Sequence, residues 1–264
     1  MVERVTICLS GLPSAFDGTT VAVIADMHAG LAHGGVPAIK QIVRAANSLH
    51  PDIIVLLGDM VHNAHRATTY LPLLGELEAG QGIWACLGNH EHGFVWYSRY
   101  LGPSPVASVD QWRRMYAKAG IELLVNEATP VEKRGARIWL VGVDDAYSGN
   151  DDLPKALQSV DRNEFCLAIT HSPDLVDNPR VDELDLVLAG HTHGGQVCLP
   201  LLGPLYAPCR KPRQRASGLI YTNRTAIYVT RGVGEGMPIR FRCPREMTLI
   251  TLSSGRQPPE SVSP

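Results

Sequence analysis

Long apolar runs and an excess of one charge are both lacking in this sequence. No stretch reaches the ~18 consecutive apolar residues of a membrane-spanning helix, and the N-terminus lacks a basic segment leading into an apolar signal core. The 24 basic and 26 acidic residues leave a net charge of -2, so no overall basic field suggests a nucleic-acid partner. We therefore expect a cytoplasmic protein without a stable nucleic-acid partner, in which any anion is bound locally.

The cysteines lack the spacing of a zinc-binding or redox motif. Six are scattered along the chain without a Cys-x-x-Cys pair. Cys8, Cys86 and Cys166 lie inside apolar runs that are typical of strands. We therefore expect buried, reduced thiols rather than disulfides or a structural zinc site.

The order of the apolar runs indicates an α/β fold. Strand-like runs alternate with helical spacing in the first half of the chain, and the second half is richer in strands that could form a second sheet. The first two strands, 5–9 and 21–25, are expected to be neighbours. Further strands are predicted near 53–57, 83–87, 122–125, 129–132, 137–143, 165–170, 185–189, 196–199, 219–222, 226–230 and 247–252, and helices at 37–50, 71–79, 109–119 and 153–160.

One domain accounts for most of the chain. With 264 residues, of which 45% are hydrophobic and 19% charged, the composition is that of a globular protein with ample material for a core. Residues 253–264 are rich in Ser, Pro and Gly. We expect a single catalytic domain over 1–252 and a flexible C-terminal tail over 253–264.

Five predicted strands end in residues that can bind metal ions. Gly190-His191-Thr192-His193-Gly194-Gly195 directly follows the apolar run 185–189. Residues two apart point to the same side of an extended chain, so His191 and His193 can aim at one point. The flanking glycines permit a sharp turn and a close approach of the backbone. The other four strand ends supply Asp26 and His28, Asp59, Asn89, and His171.

These seven side chains favour a metal centre with two ions. In open α/β sheets, ligands collect outside the carboxyl ends of the strands. Oxygen and nitrogen donors without cysteine suit hard or borderline divalent ions such as Mn, Fe or Zn. If one carboxylate is shared, seven donors give four protein ligands to each of two ions. Each residue alone could be a helix cap or turn former; five such endings in one chain favour the metal site.

The order of these motifs resembles the calcineurin-like metallophosphoesterase superfamily. The longer stretch 190–197, together with Arg231-Gly232, is similar to a branch of bacterial phosphodiesterases. The motifs that carry the resemblance are Asp26-Met27-His28, Gly58-Asp59, Gly88-Asn89-His90-Glu91, His171 and Gly190-His191-Thr192-His193.

The resemblance implies an α/β architecture: a four-layer α/β/β/α sandwich of two mixed β-sheets flanked by helices, with the metal site at the carboxyl ends of the strands. It implies two divalent ions, with Mn preferred over Fe or Zn, and a hydroxide that bridges them and attacks phosphorus in line. His90 would protonate the leaving oxygen or stabilise the phosphoryl group. Asp59 and His90 are thus the catalytic candidates. By the same resemblance, Asp26, His28 and His193 bind one metal, Asn89, His171 and His191 bind the other, and Asp59 bridges them.

One position departs from the family pattern. Many members have an Asp three residues after the bridging Asp, where it orients the catalytic histidine, whereas this chain has His62. A histidine does not reproduce a fixed carboxylate partner. Two alternatives follow: Glu91 or another acid orients His90, or His90 is less well placed for its role.

Two segments have open interpretations. Residues 200–217 mix leucines with arginines and lysine, and they could contact an acyl chain or a membrane surface, with the cations on phosphates, or be a solvated loop. The solvated loop is the favoured interpretation. Residues 92–109 hold Phe94, Trp96 and Tyr97 among Gly, Pro and Ser, and they could be a substrate-facing loop or a surface insertion.

The leading hypothesis is a dinuclear metal-dependent phosphohydrolase that cleaves phosphodiester or pyrophosphate bonds. Its substrate would be a small phosphate ester or a lipid- or nucleotide-linked molecule, and peripheral membrane contact stays open. A phosphomonoesterase or cyclic nucleotide phosphodiesterase could use the same site. A hypothesis of another class is a non-catalytic binding scaffold, against which the retention of every predicted ligand argues.

Overall fold

Two six-stranded β-sheets pack against each other through their apolar faces. The computed structural model describes residues 1–31, 34–93, 107–236 and 239–255, and only the backbone at 212 and 213. The strands are β1 Val2–Leu9, β2 Thr20–Ile24, β3 Ile53–Leu57, β4 Gly82–Cys86, β5 Glu122–Leu123, β6 Glu127–Lys133, β7 Ala136–Gly142, β8 Cys166–Ile169, β9 Leu186–Ala189, β10 Cys198–Leu199, β11 Gly203–Pro204, β12 Gly218–Tyr221, β13 Ala226–Val229 and β14 Met247–Ser254.

Both sheets are mixed. The first has the order β1-β14-β2-β3-β4-β5 and is parallel throughout except for the β14 and β2 pair. The second has the order β12-β13-β9-β8-β7-β6, with antiparallel pairs at its two edges and parallel strands between them. β10 and β11 form a separate small hairpin. The parallel runs β2-β3-β4 and β7-β8-β9-β13 direct their carboxyl ends to loops that are free to carry ligands.

Helices cover the outer face of each sheet. α1 Val36–Asn47, α2 Ala64–Tyr70 and α3 Val109–Lys118 pack on the first sheet, and α3 begins with a capping box in which Ser108 and Gln111 bond each other's backbone N–H. The outer face of the second sheet is covered by shorter segments, including α4 Leu153–Ala156 and a 3-10 turn at Pro173–Asp177. A last short helix is α5 Pro212–Arg215. The predicted four-layer α/β/β/α sandwich is confirmed.

The central strand β3 shows how the layers are joined. All five of its residues are completely buried. Side chains alternate along a strand, so Ile54 and Leu56 pack under the helices while Ile53, Val55 and Leu57 pack between the sheets. This explains the continuous apolar run in the sequence, which is typical of a strand covered on both faces.

The structure corrects three predicted elements. β1 and β2 are not neighbours, because β14 from the end of the chain lies between them; pairing across such a sequence distance leaves no local signal. The predicted α-helix at 71–79 is not formed. The α-helix α2 ends before it, at Tyr70, and a 3-10 helix that contains Pro72 and Gly75 follows at Leu71–Glu76. The helix predicted at 153–160 ends at Ala156.

The last strand runs past the predicted end of the domain. β14 extends to Ser254 and pairs with β1, two residues into the predicted tail; residues 256–264 lie outside the described residues, as does 94–106 within the predicted aromatic segment. All six cysteines are free thiols, and Cys86, Cys166 and Cys243 are buried. Within the described ranges, no helix combines the length and apolarity needed to cross a bilayer.

Candidate metal centre

Five loops bring the seven predicted ligands together at the carboxyl ends of the strands. The loops follow β2, β3 and β4 of the first sheet and β8 and β9 of the second. None of the seven residues is more than 8% exposed. They are Asp26, His28, Asp59, Asn89, His171, His191 and His193.

Three of these side chains form a first group. His28 Nε2 lies 3.1 Å from His193 Nε2, and His193 Nε2 lies 3.7 Å from Asp26 Oδ1. Among the described residues, no group donates a hydrogen bond to that buried Asp26 oxygen. A buried carboxylate oxygen left without a partner is costly, so its position beside two imidazole nitrogens suits a bound cation.

The other four side chains form a second group beside the first. His171 Nε2 lies 3.1 Å from Asn89 Oδ1, 3.0 Å from His191 Nδ1 and 3.4 Å from Asp59 Oδ2. The same Asp59 oxygen is 3.8 Å from His28 Nε2 of the first group. Asp59 therefore stands between the two groups, where a shared carboxylate is expected.

These separations fit the coordination of metal ions. Bonds of roughly 2.0–2.2 Å at angles of 90–110° place neighbouring donor atoms roughly 2.8–3.6 Å apart. The pairs His28 with His193 and His171 with His191 fall within that range, at 3.1 and 3.0 Å. The donor set thus fits two divalent ions; the assignment of each residue as a ligand remains a prediction for metal analysis to test.

The charge states of three of the histidines suit the same purpose. Burial lowers the pKa of His28, His191 and His193, in the case of His193 to about 3, and nearby positive charges lower it further. Neutral imidazoles keep a lone pair for a metal. Burial alone would raise the pKa of Asp59, but the charges of His171 and His90 outweigh it and hold that pKa well below its usual range.

The backbone at the centre adopts an uncommon conformation. A non-glycine residue with positive φ costs about 1–3 kcal/mol and persists where the surrounding structure enforces it. In this centre the enforcement comes from bonds between loops, such as His28 N–H to Asp59 O at 2.9 Å and His191 N–H to Asp26 Oδ2 at 3.0 Å. The candidate ligands with positive φ are Asp26 (55°), His28 (46°), Asp59 (53°), His191 (69°) and His193 (51°).

His171 shows how one ring nitrogen is directed at the centre. Its Nδ1 lies 2.7 Å from the carbonyl oxygen of Leu57 at the end of β3. Donation of the Nδ1–H to that oxygen fixes the tautomer and leaves Nε2 to face Asp59 and Asn89. The end of β3 therefore orients a side chain from the second sheet.

A comparison of the sequence with known protein families agrees with this arrangement of side chains. A profile described as calcineurin-like phosphoesterase matches residues 19–195, a range that contains all seven candidate ligands. The chain belongs to this family. As a metallophosphoesterase it is a hydrolase of phosphoric ester bonds, and the family uses a dinuclear divalent metal site.

Individual relatives agree with the family assignment. The metallophosphoesterase YkuE of Bacillus subtilis is 30% identical over 94% of this chain and 84% of its own length. The phosphodiesterase YaeI of Escherichia coli is 33% identical over 76% of this chain and 70% of its own. The structure of the phosphopantetheinyl hydrolase PptH of Mycobacterium tuberculosis has a TM-score of 0.51 at 14% identity, covering 84% of this chain and 91% of that one. The PptH likeness concerns the fold alone.

The orientation of His90 differs from the first sequence-based alternative, in which an acidic side chain orients the ring. Its Nδ1 lies 3.0 Å from the backbone carbonyl oxygen of His62. That contact supplies an acceptor where many family members have a carboxylate. Its Nε2 lies 3.9 Å from Asp59 Oδ2, so the ring faces the centre. The main chain at position 62, rather than any acidic side chain, therefore orients His90 in this metallophosphoesterase.

Glu91 braces the two loops that carry Asp59 and Asn89. It is completely buried. Its Oε2 accepts the backbone N–H of Asp59 at 2.8 Å and of Gly88 at 2.9 Å, and its Oε1 accepts that of Met60 at 2.9 Å. Burial raises the pKa of Glu91 to about 7, while the N–H donors favour its ionised form. The sequence motif contained this residue without indicating its role.

Sequence reasoning also missed a rim formed by the loop after β7. His92 Nε2 lies 2.7 Å from Asp144 Oδ1. Burial lowers the pKa of His92, but this hydrogen bond and the negative charges of Asp144 and Asp145 together outweigh burial and raise that pKa. The Tyr147 ring, 48% exposed, lies 4.5 Å from that of His191. The available signal was Asp144-Asp145, a further acidic strand ending.

The close approach of the β3 and β4 loops gives a testable expectation. Gly58 has φ +78°, and a Cβ there would lie 2.6 Å from Gly88 N and 2.9 Å from His171 Nδ1. We expect Gly58→Ala to lower the free energy of unfolding by about 3 kcal/mol, from backbone strain plus overpacking, and to reduce the metal content. Denaturant unfolding and metal analysis would measure both effects.

Gly120→Ala is the matched control for this substitution. Gly120 has a similar φ of +70°, but a Cβ added there would have nothing within 4 Å of it. It should lose about 1 kcal/mol from backbone strain alone and keep its metal. Equal losses in the two variants would contradict the steric explanation.

Proposed function

We propose that this protein is a two-metal phosphodiesterase, acting on phosphodiester or pyrophosphate bonds of a small phosphate ester or of a lipid- or nucleotide-linked substrate. The observation that carries the proposal is the pair of donor groups joined by Asp59. In it, Asp26, His28 and His193 would hold one ion, Asn89, His171 and His191 the other, and Asp59 both. The oxygen and nitrogen donors suit Mn best in our proposal, with Fe or Zn as alternatives.

Each part of the centre has a chemical task. Two bound divalent ions would supply an activated water near neutral pH and neutralise charge on the phosphoryl group. The chain's own contribution is orientation: Asp59 Oδ1 accepts the backbone N–H of His90 at 2.9 Å, which fixes that loop against the centre. His90 would then give a proton to the leaving oxygen from Nε2, while the carbonyl of His62 holds Nδ1.

The bonding of Arg240 favours a diester over a monoester. A monoester dianion carries one more negative charge than a diester and gains more from a free arginine. Arg240, which contacts His193, instead donates to the carbonyl oxygens of His193, Arg231 and Gly234 at 3.1, 2.9 and 2.8 Å. It therefore supports the His193 loop, and a diester monoanion is the better match.

A comparison of two chromogenic substrates tests the proposal. With Mn added to the purified chain, we expect kcat/KM for bis-p-nitrophenyl phosphate to exceed that for p-nitrophenyl phosphate by about tenfold or more. Chelation should abolish both activities and reloading should restore them. A preference for the monoester would indicate a phosphomonoesterase instead of a phosphodiesterase. A chain that binds no metal and shows no turnover would support the non-catalytic scaffold.

Substitution of His90 tests its proposed role as an acid. We expect His90→Ala to lower kcat about 10²–10⁴-fold with the metal content unchanged, because the residue is outside the predicted ligand set. The loss should be greater for an alkyl ester than for p-nitrophenyl esters, since a poorer leaving group depends more on protonation. An equal loss for both leaving groups would contradict the acid role.

His62→Ala is the matched control for His90→Ala. The two rings are neighbours, with centroids 5.0 Å apart, but position 62 orients His90 through its backbone. Removal of the His62 ring should therefore lower kcat less than about tenfold. A loss as large as that of His90→Ala would show that the His62 side chain takes part.

A further inference from the structure

The hairpin β10-β11, residues 205 and 206 that directly follow it, and the segment 239–242 form one unit that displays apolar side chains to solvent. Phe241 N–H donates to Gln196 O at 2.8 Å, and Cys198 N–H donates to Phe241 O at 3.0 Å, so the segment lies beside the hairpin. Nine large hydrophobic side chains are exposed among the described residues, and six of them belong to this unit. We name these six the apolar edge: Leu201, Leu202, Leu205, Tyr206, Ile239 and Phe241.

The residue at the tip of the hairpin has an exposure and a backbone conformation that do not favour folding. Leu201 is 107% exposed and has φ 66°, a conformation that favours Gly or Asn and is strained for leucine. Its side chain gains no burial to offset that strain. A sequence position that breaks a local rule without a folding benefit points to a role in binding.

Charge around the apolar edge identifies the kind of partner. Residues 196–217 and 239–245 contain no Asp or Glu. Arg210, Lys211 and Arg242 are exposed there. Arg215 is paired with Asp177, and Arg210 Nη1 lies 3.6 Å from that carboxylate, so two cations share one acid. Two copies of such a surface would repel each other, while an anionic bilayer offers both an apolar interior and negative headgroups.

We propose that the apolar edge inserts into the surface of an anionic phospholipid bilayer, with Arg210, Lys211 and Arg242 on the headgroups. The unit is rooted in the loop of His193: Leu205 N–H donates to Val197 O at 3.0 Å, and Gln196 Nε2 donates to Ile239 O at 2.9 Å. Docking therefore brings the candidate metal centre to the membrane surface. Binding is measured without turnover, so it is independent of the proposed diesterase activity.

Vesicle flotation of the full chain tests the proposal. We expect binding to phosphatidylcholine vesicles that contain about one-third phosphatidylglycerol, weak binding to phosphatidylcholine alone, and a decrease with added salt. Leu201→Asn combined with Leu202→Asn should lower the partition coefficient about tenfold or more. Because Asn tolerates positive φ, the melting temperature of Leu201→Asn should equal or exceed that of the wild type, which separates lost binding from misfolding.

Two arginines with matched backbones separate local charge from net charge. Arg242 and Arg134 are both exposed and have φ of 52° and 50°. Arg134 follows Lys133, whose Nζ lies 3.3 Å from Asp52 at the amino end of β3, opposite the metal centre. Arg242→Asn should weaken vesicle binding about fivefold, and Arg134→Asn should leave it unchanged.

Three outcomes would overturn the proposal. The first is a wild-type chain that does not bind anionic vesicles, and the second is a double leucine variant that binds them as well as the wild type. The third is a wild-type dimer in light scattering that the double variant dissociates, because a second copy of the chain would then cover the apolar edge.

Discussion

Asp59→Asn is expected to abolish hydrolysis, lowering kcat by about 10⁴-fold or more, and to reduce the metal content from two ions per chain toward one. The reason is that both carboxylate oxygens are used. Oδ1 accepts the backbone N–H of His90 at 2.9 Å, and Oδ2 faces His28 and His171 at 3.8 and 3.4 Å. An Asn amide must turn its NH₂ either toward the proposed ions or toward the N–H of His90.

Metal analysis and hydrolysis of bis-p-nitrophenyl phosphate would measure the two effects on the same sample. Asp161→Asn is a suitable control, because Asp161 lies on an exposed turn between α4 and the amino end of β8, whereas the centre lies at the carboxyl ends of the strands. It makes the same change of charge and should retain both ions and full activity. An Asp59→Asn protein with two ions and more than about a tenth of the wild-type rate would refute the shared-ligand assignment.

The sequence predicted the position of this centre because its signals are local. An apolar run followed by Asp, His or Asn specifies both a strand and its carboxyl end, and the carboxyl ends of neighbouring parallel strands meet at one edge of a sheet. Asp26 and Asp59, which end β2 and β3, are adjacent for this reason. The seven residues therefore converge as predicted, although their role as ligands awaits the metal measurement.

Other features depend on contacts that are distant in sequence. β14 lies between β1 and β2 by pairing residues that are distant along the chain, such as Thr248 with Val23, a relation that no periodicity reveals. The orientation of His90 by the carbonyl of His62 was equally hidden. A backbone acceptor has no residue type to recognise, so the presence of His where the family pattern has Asp gave no sign that position 62 still supplies an acceptor.

Backbone strain at the centre was also beyond sequence reasoning. Residues such as His28 and His191 have positive φ, although their types give only a weak preference for that conformation. The cost is offset by hydrogen bonds between loops that are distant in sequence, such as His28 N–H to Asp59 O and His191 N–H to Asp26 Oδ2. Groups other than the proposed ligands add to this support, and Glu91 does so at the loops after β3 and β4.

Glu91→Gln is expected to lower the free energy of unfolding by about 3–5 kcal/mol and to release the proposed ions. Oε2 accepts the N–H groups of Asp59 and Gly88, and Oε1 accepts those of Met60 and Val61. Each oxygen thus has two donors, so the NH₂ of glutamine opposes N–H groups in either orientation. The buried donors left unpaired are those that position Asp59 and the β4 loop.

Denaturant unfolding in the presence of a chelator would measure the contribution of the Glu91 hydrogen bonds to the free energy of unfolding. The chelator removes the separate stabilisation by bound metal, which acts through mass action. Glu78→Gln, on an exposed residue, is the control and should change stability by less than about 0.5 kcal/mol. If Glu91→Gln were as stable as that control without metal, the brace would be unnecessary for folding. If it lost stability but retained both ions, Asp59 would be positioned by the β3 backbone alone, and the strained loops would then be held mainly by the sheet itself.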